Sequence, residues 1–121
     1  MALNENAKKW VAALRSGEFA QGQHFLRKHD NYCCLGVACE LYRRETGNGE
    51  WWQVTQGKYT FISDSYEFVT VLPSTVAYWL GLHTEAGEFG VEDSLADMND
   101  TGKTFDEIAD VIESEPVGLF V

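Results

Sequence analysis

Leu3, Ala7, Trp10, Val11 and Leu14 recur at three- and four-residue spacing, with polar residues between them. The segment NENAKKWVAALRSG therefore predicts a helix, capped by Asn4 or Asn6 and stopped at Gly17. The next stretch, EFAQGQHFLRKHDN, loses that period. It carries a glycine and alternates around Phe25, which predicts a loop or a short strand. From Tyr32 to Leu41 the chain is apolar nearly all round, interrupted only by Glu40. That pattern predicts a central, mostly buried helix over 31–46. Asp30 or Asn31 is placed to cap it, Arg43 and Arg44 suit the negative end of its dipole, and Gly47 can end it. Gly36 within it costs about 1 kcal/mol of propensity relative to alanine, so another element is expected to approach closely there.

After residue 50 the period changes to that of strands. WWQV, KYTFI and EFVTVL are rich in aromatic and β-branched residues and are separated by Gln56-Gly57 and by Ser63-Asp64-Ser65. They predict a three-stranded antiparallel meander over 51–72. LPSTVAYWLGL predicts a short helix, with Pro73 near its first turn and Gly81 after its end. Residues 83–90 read as a loop, and VEDSLADMND and TFDEIADVIES as two further short helices, the last ended by Pro116. The expectation is a single α+β domain over 1–121. About five short helices surround the buried helix 31–46, and the small meander lies beside them.

Composition supports a packed core: 45% of residues are hydrophobic, 13% are aromatic, and four are tryptophan. Charge changes the picture more. The formal net charge is −10, and it is unevenly spread. Residues 1–46 carry seven Lys/Arg and five acids, whereas residues 47–121 carry two and fourteen. The acidic half repels phosphate, so no direct nucleic-acid binding is expected through it. An acidic surface that imitates nucleic acid is physically allowed beside the plainer reading of a solvated face. The three cysteines, Cys33, Cys34 and Cys39, do not make a secreted disulfide framework. No signal peptide is visible, and no stretch approaches the about 20 apolar residues of a membrane span. A soluble protein of a reducing, intracellular compartment, with no membrane partner, is the expectation.

LADMNDTGKTFDEIADVIE invites three readings. Counted from Asp97, the residues Asn99, Thr101 and Gly102 match a calcium loop, but the ninth and twelfth positions are Phe105 and Ile108. Glu107 is one residue early, turned by about 100° on a helix. A DNA-reading helix-turn-helix needs a second helix after Glu113, where only eight residues with Pro116 and Gly118 remain. The third reading is a packing corner. Thr104 and Glu107 form a capping box, and Phe105, Ile108, Val111 and Ile112 make an apolar face.

The cysteines suggest a nucleophile, since a thiol at a helix start is acidified. His24, His29 or His83 could then serve as base. Core packing of free cysteine is the competing reading. Cysteine spacing does not suit zinc, and Gly47-Asn48-Gly49 lacks a phosphate loop's lysine, so no cofactor or metal is expected. Asp93 with Asp97, and Asp106 with Asp110, read as i, i+4 pairs on exposed helix faces. Together with Asp100 and Glu113 they form the candidate binding set.

WVAALRSGEFAQG, YCCLGVACEL, LPSTVAYWLGL and LADMNDTGKTFDEIADVIE together resemble a family of small uncharacterised proteins of tailed bacteriophages and prophages. The likeness is weak at 48–70 and 83–91, and Met98 stands where the family usually has leucine. It implies expression in a bacterial cytoplasm and supplies no activity. The leading expectation is a non-enzymatic accessory protein that binds a host protein through its acidic C-terminal face, of nucleic-acid-mimic or anti-defence type. A small-molecule or nucleotide binder using the aromatic residues 51–68, and a thiol enzyme, are the alternatives. Oligomeric state is left open.

Overall fold

A computed structural model describes residues 3–121, so the first two residues of the expected 1–121 domain lie outside the described part. The chain is mixed α and β, with five helices. Helix α1 (Glu5–Arg15) begins where the Asn4 side chain accepts a hydrogen bond from the Ala7 amide at 2.7 Å. Its buried face is Ala7, Trp10, Val11 and Leu14, as the spacing predicts.

Helix α2 (Cys34–Thr46) starts later than expected. Neither Asp30 nor Asn31 caps it. Cys33 does, its sulfur accepting from the Gly36 amide at 3.4 Å. The reason is pairing upstream. Three two-residue strands, β1 (Ala20–Gln21), β2 (Arg27–Lys28) and β3 (Asn31–Tyr32), occupy the segment. Asn31 and Tyr32 pair with β1 in parallel and with β2 antiparallel, so their backbone is extended and unavailable to a helix. Gly36 behaves as read: a Cβ there would sit 1.8 Å from the Leu26 carbonyl oxygen.

Strands β4 (Glu50–Thr55), β5 (Lys58–Ser63) and β6 (Tyr66–Phe68) pair antiparallel in series. Lys28 pairs with Lys58, which joins them to the N-terminal strands in one sheet ordered β1-β3-β2-β5-β4, with β6 also on β5. Helix α3 (Ser74–Leu80) follows Pro73 and ends on Gly81 in the left-handed region.

The expected helix VEDSLADMND is only half a helix. Its first residues form a hairpin, β7 (Glu88–Phe89) with β8 (Asp93–Ser94), and the expected loop 83–90 contributes β7. Helix α4 (Leu95–Asp100) starts after Ser94, whose hydroxyl accepts from the Asp97 amide at 3.0 Å. Helix α5 (Phe105–Ser114) carries the anticipated capping box. The Thr104 amide donates to Glu107 Oε1 at 2.9 Å, and the Glu107 amide donates to the Thr104 hydroxyl at 3.1 Å. The tail folds back, with Leu82 bridging Phe120 and the Gly90 amide donating to the Val117 carbonyl at 2.8 Å.

The core centres on α2. Cys34, Leu35, Val37, Ala38 and Cys39 are all fully buried, in one cluster with Trp10, Phe61, Val76, Leu80, Leu95, Ile108 and Ile112. Each such aliphatic side chain contributes about 1.5–3 kcal/mol on burial. Among the described residues no helix is long and apolar enough to cross a membrane.

Candidate functional site

A nucleophilic role would require at least one reactive thiol. Cys33 holds the N-cap of α2, where the helix dipole lowers a thiol's pKa. Burial outweighs that and pushes it up to about 11, with the Gly36 amide pulling the other way. Cys34 and Cys39 are fully buried, and burial raises both well above the ordinary thiol range. Cys34 instead donates its S–H to the Leu95 carbonyl at 3.6 Å. A nucleophile needs an exposed, acidified sulfur, and these three sulfurs have the opposite environment.

The candidate acids divide by position. Asp106, Asp110 and Glu113 do share the outer face of α5. Arg15, from the last turn of α1, reaches across to them. Its Nη2 lies 2.7 Å from Asp110 Oδ1 and closer still to Glu113 Oε1, and its Nη1 is 4.0 Å from Asp106. This row is a strap between two helices. Asp100 is also engaged: its Oδ1 accepts from the His24 amide at 2.7 Å, and its other oxygen faces the His24 ring at 3.6 Å. His24 has φ +73°, so the carboxylate steadies a backbone shape that side chains avoid.

Asp93 and Asp97 do not make the helical pair that their spacing suggested, because Asp93 lies on β8. Asp97 sits in the first turn of α4, where its charge suits the helix dipole. Both are exposed and make no ion pair with the described residues. Two unforeseen acids join them, Glu88 on β7 and Glu92 in the hairpin turn, both exposed and equally unpaired. Val91, also in the turn, is 97% exposed, and Val117 is 87% exposed. The Gly90–Val117 hydrogen bond brings the two valines' backbones to neighbouring positions. The hairpin thus carries exposed Val91 and three acids unpaired among the described residues, with Val117 adjoining its turn. The sequence signal was the Gly90 turn between Phe89 and Ser94, hidden by the helical look of the residues that follow.

Asn99, which matches a calcium-loop position, and Glu40, the break in the apolar helix, both have structural roles. Asn99 on α4 is fully buried. Its Oδ1 accepts from the Cys34 amide at 3.1 Å and from Gln21 Nε2 at 2.9 Å, and its Nδ2 donates to the Gly22 carbonyl at 2.7 Å. It ties α4 to the start of α2 and to the β1 loop. The sequence signal for that role is its place four residues after the buried Leu95. Glu40, the charge inside the apolar helix, has a side chain only 6% exposed. Burial acts to raise its pKa, but hydrogen bonds from Arg43, Trp51 and Arg44 overcome it and hold the carboxyl at about 2.

The aromatic segment 51–68 splits between inside and outside. Phe61 is fully buried. Trp51 is half-buried, edge-on to Tyr32 and Phe61, and bonded to Glu40 through its indole. Arg27 lies over Tyr59, 3.9 Å from its centroid, and near Tyr32 and Trp51. These rings are occupied by one another and by Arg27, while Trp52 and Tyr66 remain exposed. Among the described residues no group of three His, Cys, Asp or Glu is placed to hold a metal ion.

No curated protein and no solved structure matches the chain. Residues 3–116 match a family model described as a domain of unknown function, DUF8296. That match spans nearly the whole chain, which therefore belongs to the DUF8296 family.

Proposed function

We propose that the protein is a non-enzymatic accessory protein of a tailed phage or prophage. It works in the bacterial cytoplasm and binds a basic host protein through the acidic C-terminal region. The resemblance of its motifs to phage and prophage proteins supports the setting. The observation that carries the binding reading is the β7–β8 hairpin. There Glu88, Glu92 and Asp93 stand without ionic partners among the described residues, on the same hairpin as the exposed Val91 and next to Val117 of the C-terminal segment. Exposed apolar side chains among unpaired charges suit a protein interface, and one sign of charge selects a partner of the other. The surfaces of nucleic-acid-handling proteins meet that requirement, since they are built to hold phosphate.

The binding centre in this reading is the hairpin, with Asp97 at its border. Asp106, Asp110 and Glu113 belong to the strap and add a longer-range field. Capture from a bacterial lysate at low salt, with Val91→Ser/Val117→Ser and Glu88→Lys/Glu92→Lys/Asp93→Lys as controls, tests it. The expected result is a basic protein retained by the native chain, released by salt, and lost with both variants. An empty capture at low salt, or undiminished capture by the charge-reversed hairpin, refutes it.

A further inference from the structure

We propose that the groove between the start of α1, the second half of α2 and α3 is a binding site for a neutral saccharide. The groove is shallow and open to solvent, offers about 860 Å³ and is framed by Asn4, Asn6, Tyr42, Ser74, Tyr78 and Trp79. That volume falls within the range of small-ligand sites, about 300–1,000 Å³. Two threonines complete its wall, so no lining residue carries a charge, in a chain of which 23% is charged. A phosphate or carboxylate ligand finds no cation here, and the net charge of −10 repels it.

The tryptophans supply the second observation. Trp10 donates its indole N–H to the Cys34 carbonyl at 2.9 Å, Trp51 to Glu40 at 2.9 Å and Trp52 to Glu50 at 2.8 Å. Trp79, on the groove, makes no such bond among the described residues, although its ring is half-buried. Its N–H is therefore open to solvent, and to a ligand that could replace the water there. The hydroxyls of Tyr42, Tyr78 and Ser74 are likewise unbonded within the described residues.

The surrounding contacts fix this arrangement in place. The Trp79 carbonyl accepts from Asn6 Nδ2 at 3.0 Å and from Asn4 Nδ2 at 3.3 Å, which locks the end of α3 to the start of α1. Those bonds use the amide nitrogens of both asparagines and leave the Asn6 amide oxygen unbonded among the described residues. The Tyr42 ring meets Trp79 edge-on at 5.5 Å and 84°. Tyr78 is 87% exposed, next to these groups, so both its ring faces are open. An open indole N–H, an unbonded amide oxygen and free hydroxyls beside exposed aromatic carbon match one ligand class. A sugar ring offers C–H groups to an aromatic face and hydroxyls that both donate and accept.

The test is an ¹⁵N-labelled titration of the full chain with glucose, N-acetylglucosamine, cellobiose and chitobiose, with adenosine and uridine as a second arm. One of the sugars is expected to shift the Trp79 indole N–H saturably, with the three other indole signals still. Tyr78→Ala removes an exposed ring and leaves the core alone, and it should weaken that binding about tenfold, the loss of one aromatic contact. Trp79→Phe keeps a ring, removes the N–H and should abolish the hydrogen-bonded component. An indole signal that no sugar moves, or that only the nucleosides move, overturns the proposal. So does sugar affinity unchanged in Tyr78→Ala. Each result is independent of protein capture by the hairpin.

Discussion

Two groups of acids in the same C-terminal region meet opposite fates. On α5, Asp106, Asp110 and Glu113 converge on Arg15 and fasten α5 to α1. On the β7–β8 hairpin, Glu88, Glu92 and Asp93 meet no cation among the described residues. Residue type and local charge density are alike in both. The difference is a single arginine contributed from the far end of the chain. Elsewhere Glu40 and Glu107 are also used by the fold, one bonded by two arginines and a tryptophan, the other closing a helix cap. Carboxylates with a partner hold the fold together, so those without one are available for a partner outside it.

This contrast can be broken at several points. The largest effect is expected at Glu40. Glu40→Ala should cost about 3 kcal/mol, read by urea unfolding, because its carboxyl is held at about 2 rather than 4.5. The sign for pH follows from that depression. The contribution is fully present above the unfolded value of 4.5 and is lost as pH falls through about 2. In Glu40→Ala this part of the acid loss should vanish, and an unchanged acid profile would show that Glu40 does not hold the helix to Trp51. Next comes Thr104→Ala, which opens the capping box and should lower stability by about 1 kcal/mol. Arg15→Ala should have a smaller effect that shrinks as salt is added, since the pairs are solvent-exposed. If added salt does not shrink it, the strap is not electrostatic. Smallest of all, Glu88→Lys/Glu92→Lys/Asp93→Lys should leave stability within about 0.5 kcal/mol of native. A loss exceeding that of Thr104→Ala would place the hairpin acids among the structural ones.

Much of the local structure was legible because it depends on neighbours in sequence. The cap at Asn4, the left-handed stops at Gly47 and Gly81, and the Thr104–Glu107 box are all satisfied within one turn. Gly36 was legible in kind, since a glycine inside an apolar helix signals close approach, though its neighbour Leu26 was not. The misread elements share a different cause. The start of α2 and the β7–β8 hairpin consist of two-residue strands, too short for any period to show. They exist because another segment supplies the hydrogen bonds.

The site was less legible than the fold. Counting acids picked out the acid-rich part of the chain, but not which acids were paired within the fold. Asn99 stood out only as a calcium-loop match and Trp79 not at all, since a buried hub and an unbonded indole are defined by partners far along the chain or by the lack of one.

By itself, then, the amino-acid order determined the α+β class, the apolar helix at the centre, most helix ends and the surplus of acid in the second half. Apolar period, capping and charge count act over a few residues, and the sequence states them directly. Only the tertiary structure decided that burial holds the thiols protonated, that Arg15 takes three acids of α5, and that the hairpin acids and the Trp79 indole are left over. A thiol's burial and a charge's partner are set by which distant segments pack together, a relation that local sequence does not carry.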